Sequence, residues 1–381
     1  MEFLSKLGGH SPVLEAVEFQ SNFSEGRDYD EYDENCLREW NRAPSLPPLF
    51  RDAPNLTFLR ASKLPFSQCF LEFHHLTHLE LSYIPVSSSD CLAVISANPM
   101  LEIIILRRIS NWEEEAHIQE IVPTSLHHLR RLELYGLFVE QILWGLSFPP
   151  GTHFSCVCPN GYFIPPSNAL ENIATVERLQ FTLSKNRKGV SRVVSGSGSN
   201  GTFLLSDTLP QLDLDIREIL LSPLNSLEEL SISFVEVWDG ESNSSLTFAD
   251  PRGSRLGLFL YFFARLRVLT LRRVNGCETI LALLRNPRVC PRLHTMVLAN
   301  IRSHATYWPS LVEMARVREQ DTDSSSISRV DVGCRAGEWP ASDQLAELRT
   351  YVFSVEVKPW DYEIEELDWL KDPRFSNLGR L

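Results

Sequence analysis

The sequence predicts an α/β fold of stacked strand-and-helix units, and three observations carry that expectation. A short apolar phrase, Leu-x-x-Leu-x-Leu, recurs along most of the 381 residues, its copies start at a nearly constant spacing, and the same helical wording follows it twice. Within each copy the second and third apolar positions lie two residues apart. That is strand alternation, so both point to one face and the residues between them to the other. One short strand per unit, repeated every few tens of residues, is the signature of a leucine-rich-repeat solenoid, with a curved parallel sheet on its concave face and helices on its convex face.

The clear copies are Leu56/Leu59, Leu76/Leu79/Leu81, Leu101/Ile104/Leu106, Leu129/Leu132/Leu134, Val176/Leu179/Phe181, Leu227/Leu230/Ile232, Leu266/Leu269/Leu271 and Leu293/Met296/Leu298. Looser copies begin at Leu14, Gly151 (Phe154, Cys156), Ile327 (Val330, Val332) and Val352 (Val355, Val357). From Leu56 the starts fall at 76, 101, 129, 151 and 176, steps of 20 to 28 residues. The longer steps elsewhere coincide with polar stretches. These are expected to be flexible inserts at 22–45, 185–201 and 239–255 within a single irregular repeat domain spanning 1–381, because lengthening a surface loop costs little closure entropy.

Helices are expected between strands. After Leu81 the chain runs from Val86 through Leu92 and Ile95 to Asn98-Pro99, with Ser89 or Asp90 as the cap and Asn98-Pro99 as the stop. Val274, Ile280, Leu283, Asn286 and Pro287 repeat that wording at an offset of 188. Trp112–Ile121 reads as a further convex helix whose early carboxylates complement the helix dipole. Ile84, Ile109, Leu137, Val235, Val274 and Ile301 occupy the place after each strand where many repeats carry asparagine. An aliphatic ladder is therefore expected there.

A net charge of −13 and a pI near 5.3 weigh against a generic partner of phosphate character, so neither nucleic acid nor an anionic membrane is expected. The longest strongly apolar run, Leu256–Ala264, is far shorter than the roughly 20 residues of a membrane helix. The chain opens without a charged-then-apolar leader, and its eight cysteines are scattered, several at apolar repeat positions. Reduced core thiols and a cytoplasmic or nuclear location follow.

Some clusters imitate chemistry. His74, His75 and His78 lie near Glu72 and Glu80, but only His78 and Glu80 share a strand face, and no paired Cys/His spacing completes a metal set. Cys156 and Cys158 share one strand face beside Phe154 and read as core. His127-His128 falls in an exposed turn. GSGSNG at 196–201 lacks the lysine and helix of a phosphate loop. No catalytic residue, metal or cofactor is expected, and the chain is read as a binding protein and not an enzyme.

On a concave sheet the functional side chains alternate with the buried ones. The candidates are Phe58, Arg60, His78, Glu80, Ile103, Ile105, Arg107, Arg131, Glu133, Tyr135, Arg178 and Gln180. Phe58, Ile103, Ile105 and Tyr135 ringed by Arg60, Arg107, Arg131 and Arg178 have the apolar centre and arginine surround of a protein-binding hot spot. The later strands present smaller residues, among them Ser231 and Thr270.

The phrases PNLTFLRASKLPF, HHLTHLELSYIPVSSSDCLAVISANPMLEIIILRRIS, SLHHLRRLELYGL, LSFPPGTHFSCV and ELRTYVFSVEV resemble the leucine-rich-repeat portion of F-box-like proteins, especially those expanded in mushroom-forming fungi, over about two-thirds of the chain. That resemblance implies repeats that select a target protein, while an N-terminal F-box docks the Skp adaptor of a cullin-RING ubiquitin ligase. Here Met1–His10 leads directly to a repeat without a Leu-Pro-x-Glu start. No F-box is recognisable, and a Skp-type adaptor is expected only where an F-box is supplied upstream. The expected function is substrate recognition of the F-box-like type, with an unknown target protein. The alternative is a freestanding leucine-rich-repeat scaffold with no link to ubiquitination.

Overall fold

The computed structural model describes residues 15–20, 54–62, 70–109, 123–158, 175–209, 224–236, 246–247, 260–334 and 339–359, apart from 72, 85, 137–138, 187–188, 199–200, 225, 276, 302–303 and 322–324. The chain is α/β and divides into two compact units, residues 1–228 with 235–242 and residues 229–234 with 243–381.

In the first unit the apolar phrases become parallel strands: β1 (Ala16–Gln20), β2 (Phe58–Ser62), β3 (His78–Ser82), β4 (Ile103–Ile109), β5 (Arg131–Gly136) and β6 (His153–Cys158). Their register aligns the phrases, with Val17, Leu59, Leu79, Ile104, Leu132 and Phe154 in one row. All six are buried, which is the expected consequence of period-2 alternation in a sheet covered on one face. The start of each strand repeats one hydrogen-bond device. The carbonyl of Glu15 accepts the N–H groups of Thr57 and Phe58, that of Thr57 accepts those of Thr77 and His78, and that of Thr77 accepts those of Glu102 and Ile103, at 2.8–3.1 Å.

Helices α1 (Ser88–Ser96) and α2 (Val139–Trp144) connect strands of this unit, and α2 packs on β5 and β6. Ser87, not Ser89 or Asp90, caps α1. Its hydroxyl accepts the Asp90 N–H at 3.0 Å and donates to the Asp90 carboxylate at 2.8 Å. Asp90 thus occupies the third helical position, where a carboxylate reaches back to the cap. Asn98 does more than stop the helix. Fully buried, it accepts the Leu76 N–H at 2.9 Å and donates to the carbonyls of Phe73 and Val94 at 2.8 Å, tying the helix end to the turn before β3.

The segment 185–201, expected to be a loop, is mostly strand. β7 (Arg178–Asn186), β8 (Gly189–Gly198) and β9 (Gly201–Leu209) form an antiparallel meander, and β9 rather than β7 pairs with β6, Phe203 opposite Phe154. The Val176 phrase is therefore not the neighbour of the Gly151 phrase, because a hairpin enters between them. The glycines that suggested flexibility answer a packing need. Gly196 lies opposite Phe203, and a Cβ there would collide with the Phe203 ring, which stacks on Phe154 at 5.7 Å. Inserts 22–45 and 239–255 lie outside the described residues except for the two-residue strand Leu246–Thr247, as does the helix expected at Trp112–Ile121.

The second unit repeats the scheme with β10 (Glu229–Glu236), of which 229–234 belong to it, β11 (Val268–Arg272), β12 (Thr295–Ala299), β13 (Arg329–Cys334) and β14 (Ser354–Pro359), all parallel. Its helices are α3 (Cys277–Leu284), α4 (His304–Gln320) and α5 (Ser342–Tyr351).

In both units a non-glycine residue at a strand end is left-handed: Tyr83 (φ 56°), Arg273 (φ 54°) and Asn300 (φ 51°) directly after their strands, and Arg108 (φ 50°) one residue before the end of β4, at its bulge. For a residue with a Cβ this conformation costs about 1–2 kcal/mol. It turns the chain so that the next side chain enters the core, and Ile84, Val274 and Ile301 are buried there. The aliphatic ladder is thus present at these three positions. Asn286, the counterpart of Asn98, is exposed, and its side chain accepts the Arg288 N–H at 3.1 Å.

Candidate functional site

Alternation leaves one face of the first unit's sheet to carry the polar and large side chains between the core rows, and on β2–β5 these residues meet. Register places Glu18, Arg60, Glu80, Ile105 and Glu133 in one row, and Phe58, His78, Ile103 and Arg131 in the row before it. The arginines are not free to ring a hot spot as expected. Arg60 Nε binds Glu80 at 2.9 Å, with Glu18 at 3.4 Å from its Nη1. Arg107 reaches Glu133 at 2.9 Å and Glu80 at 3.6 Å, and Arg131 Nε donates to Glu133 at 2.8 Å. Hydrogen bonding to Glu80 and its charge hold the Arg60 guanidinium above its ordinary pKa.

This ladder explains the fate of Ile105. It lies between Glu80 and Glu133 in register, two residues before Arg107 on the same face, so the guanidinium that bridges both carboxylates spans over it. Ile105 is buried, whereas Ile103 and Tyr135 remain half-buried. Glu80 is itself only 6% exposed, which its two arginine partners make tolerable.

Phe58 and His78 pack against each other with ring centroids 4.5 Å apart and the ring planes tilted by 42°. Burial pushes the His78 imidazole below its ordinary pKa, opposed by Glu80 and reinforced by Arg60 and Arg131. Its Nε2 is buried with no hydrogen-bond partner among the described residues.

Arg178 and Gln180 stand apart from this cluster. They lie on β7, and in the strand order of the unit β6, β9 and β8 intervene between β5 and β7. Arg178 is exposed and Gln180 half-buried, while on the same parity Val157, Leu204, Val193 and Thr182 are buried. The candidate surface therefore consists of ten of the twelve expected residues, those on β2–β5.

A feature absent from the expected set adjoins it. The left-handed backbone of Arg108 carries its guanidinium to 5.2 Å from the Tyr83 ring and 5.8 Å from the Tyr135 ring, within the range of cation–π attraction. Arg108 follows Arg107 where strand alternation alone would turn it to the core. Nothing in the local sequence marks this turn.

Among the described residues no group of His, Cys, Asp and Glu is placed to hold a metal ion. His74 and His75 are exposed while His78 lies in the sheet. Cys91, Cys156, Cys158, Cys277, Cys290 and Cys334 are buried thiols outside any disulfide. Burial pushes the thiols of Cys91, Cys277 and Cys290 up to about 12, which leaves them un-ionised at neutral pH. Among the described residues no helix is long and apolar enough to cross a membrane. Comparison with family models, curated proteins and solved structures finds no significant match to the chain.

Proposed function

We propose that the chain is a protein-recognition module whose units stack as leucine-rich-repeat coils, with the strand face concave, and that it acts in the cytoplasm or nucleus to select a target protein. The role is binding and not catalysis. By its resemblance to F-box-like repeats, the module serves substrate recognition for a cullin-RING ubiquitin ligase, with a Skp-type adaptor engaged through an F-box supplied upstream.

The observation that carries the binding role is the fixed surface on β2–β5. Phe58, Ile103 and Tyr135 are half-buried beside arginines held by Glu80 and Glu133. Side chains already locked by such a network lose little freedom when a partner arrives, which favours affinity.

The test is comparative capture. The parent protein and the Tyr135→Ala and Arg131→Ala variants are immobilised, and the protein that only the parent retains is purified and titrated. Tyr135→Ala should weaken it by about 2 kcal/mol, while Thr270→Ala and Ser231→Ala should matter little. Melting temperatures are compared alongside, since a misfolded variant also fails to bind. If both variants fold normally and bind as the parent does, the surface is wrongly assigned. Recovery of the target from cells without adaptor or cullin would favour the freestanding scaffold.

A further inference from the structure

The second unit carries a basic and aromatic surface that the sequence reading did not single out, and it lies before the strands and not on their faces. Two turns form it. Residues 260–267 precede β11 and residues 285–292 precede β12, and they touch where the Cys290 thiol donates to the Leu260 carbonyl at 3.2 Å. The Arg267 carbonyl accepts the N–H groups of His294 and Thr295 at 3.0 Å. Arg265 and Arg292 therefore hold equivalent places in the two turns, each three residues before a strand, and those strands lie about 4.8 Å apart.

These turns expose Tyr261 (46%) and Phe262 (67%) together with Arg265, Arg267, Arg288 and Arg292. Arg265, Arg288 and Arg292 form no ion pair with a described residue. The nearby Glu313 is engaged by Arg316 at 2.8 and 2.9 Å. Three guanidinium groups without a described ion-pair partner, on turns that also carry two exposed rings, thus stand out on a chain of net charge −13.

The platform is held rigid from below. Arg318, fully buried in the last turn of α4, donates to the carbonyls of Leu284 at 2.8 Å, Cys290 at 3.2 Å and Val289. One side chain thereby ties the end of α3 to the turn that displays Arg288 and Arg292.

We infer that this surface is a second docking element, which takes an acidic protein segment bearing large apolar side chains. Carboxylates would pair with the arginines and the apolar side chains would cover Tyr261 and Phe262, the composition of a protein-binding hot spot. A protein segment fits better than a nucleic acid. A phosphate backbone extends far beyond the patch, and the net negative chain repels it, whereas a short acidic segment meets only the local field within a screening length of ~8 Å. This inference rests on the reading of the chain as a protein-binding module but uses none of the residues on β2–β5.

The test is fluorescence anisotropy with a labelled peptide of repeating Asp-Glu-Leu, against the same peptide with Asn and Gln in place of the acids and against an oligo-thymidine. The acidic peptide should bind the parent, and raised salt should weaken it. Arg288→Ser with Arg292→Ser should lower affinity about tenfold or more, and Phe262→Ser should lower it without removing the salt dependence. Arg265→Ser provides an independent single change, should the double variant melt early. Arg130→Ser, an exposed arginine of the first unit, should leave binding unchanged. Equal binding by the parent and the folded arginine variants, no binding of the acidic peptide, or tighter binding of the oligonucleotide would each overturn the proposal. None of these outcomes bears on capture through Tyr135, so the two readings fail separately.

Discussion

Arg107 and Glu133 face each other on neighbouring strands at 2.9 Å, and the same guanidinium extends to Glu80 at 3.6 Å on the other side. Two carboxylates that would repel each other across the covered Ile105 are thereby bridged by a shared cation. The side chains are partly exposed, with Arg107 at 39% and Glu133 at 17%, so solvent screens the attraction.

Replacing Glu133 by Gln should accordingly cost stability only about 1 kcal/mol or less. The effect should shrink in high salt, and the denaturation midpoint measures both. A larger loss that persists in salt would mean that the ladder is a packing element and not an electrostatic one.

Asn98 and Asn286 hold the same place in the repeated wording and should respond very differently to the same change. Asn98→Ala orphans the buried Leu76 N–H and withdraws a donor from the carbonyls of Phe73 and Val94. Each unmet buried group costs about 1–3 kcal/mol, so a loss of roughly 3 kcal/mol or more is expected. Asn286→Ala removes one exposed contact and should cost well under 1 kcal/mol. Chemical denaturation of the two variants compares them directly, and equal losses would remove the distinction.

The strands were legible because alternation is a property of neighbouring residues. Every copy from Leu56/Leu59 to Leu293/Met296/Leu298 supplies a described sheet strand, and even the looser Leu14 copy places Val17 opposite Leu59. The hairpin at 185–201 was hidden because Gly196 and Ser195 look like linker, while the reason for the glycine, the Phe203 ring across the strand pair, lies in a different phrase. The left-handed residues were hidden because Tyr83, Arg108 and Arg273 have no intrinsic taste for that conformation. At Tyr83 and Arg273 the fold imposes it by burying the aliphatic residue that follows, Ile84 and Val274. The candidate site was legible as a set of side chains on β2–β5 but not as a network. Alternation says that Arg60, Glu80, Arg107 and Glu133 share a face, and only the register says which carboxylate each arginine meets.

His78 makes the stability of the first unit depend on pH. Its imidazole sits between Phe58 and Ile103 in register, tilted against the Phe58 ring, with Nε2 buried and without a described partner. Burial therefore holds its pKa below the ordinary 6.5, and the Arg60 and Arg131 guanidinium groups push the same way against Glu80. As the pH falls through 6.5 the unfolded chain takes up a proton that the folded chain still refuses. Fewer protons bound in the folded state means that stability decreases with falling pH. The loss begins near pH 6.5 and levels off once the folded imidazole is protonated too. Thermal melts between neutral pH and about pH 5.5 should show this decline in the parent, and His78→Asn, which has no proton to take up in that window, should flatten it. Carboxylates titrate mainly lower and contribute to both proteins alike. If the two profiles run parallel from neutral pH down, His78 is not the group responsible, and the buried imidazole has found an acceptor in the folded protein.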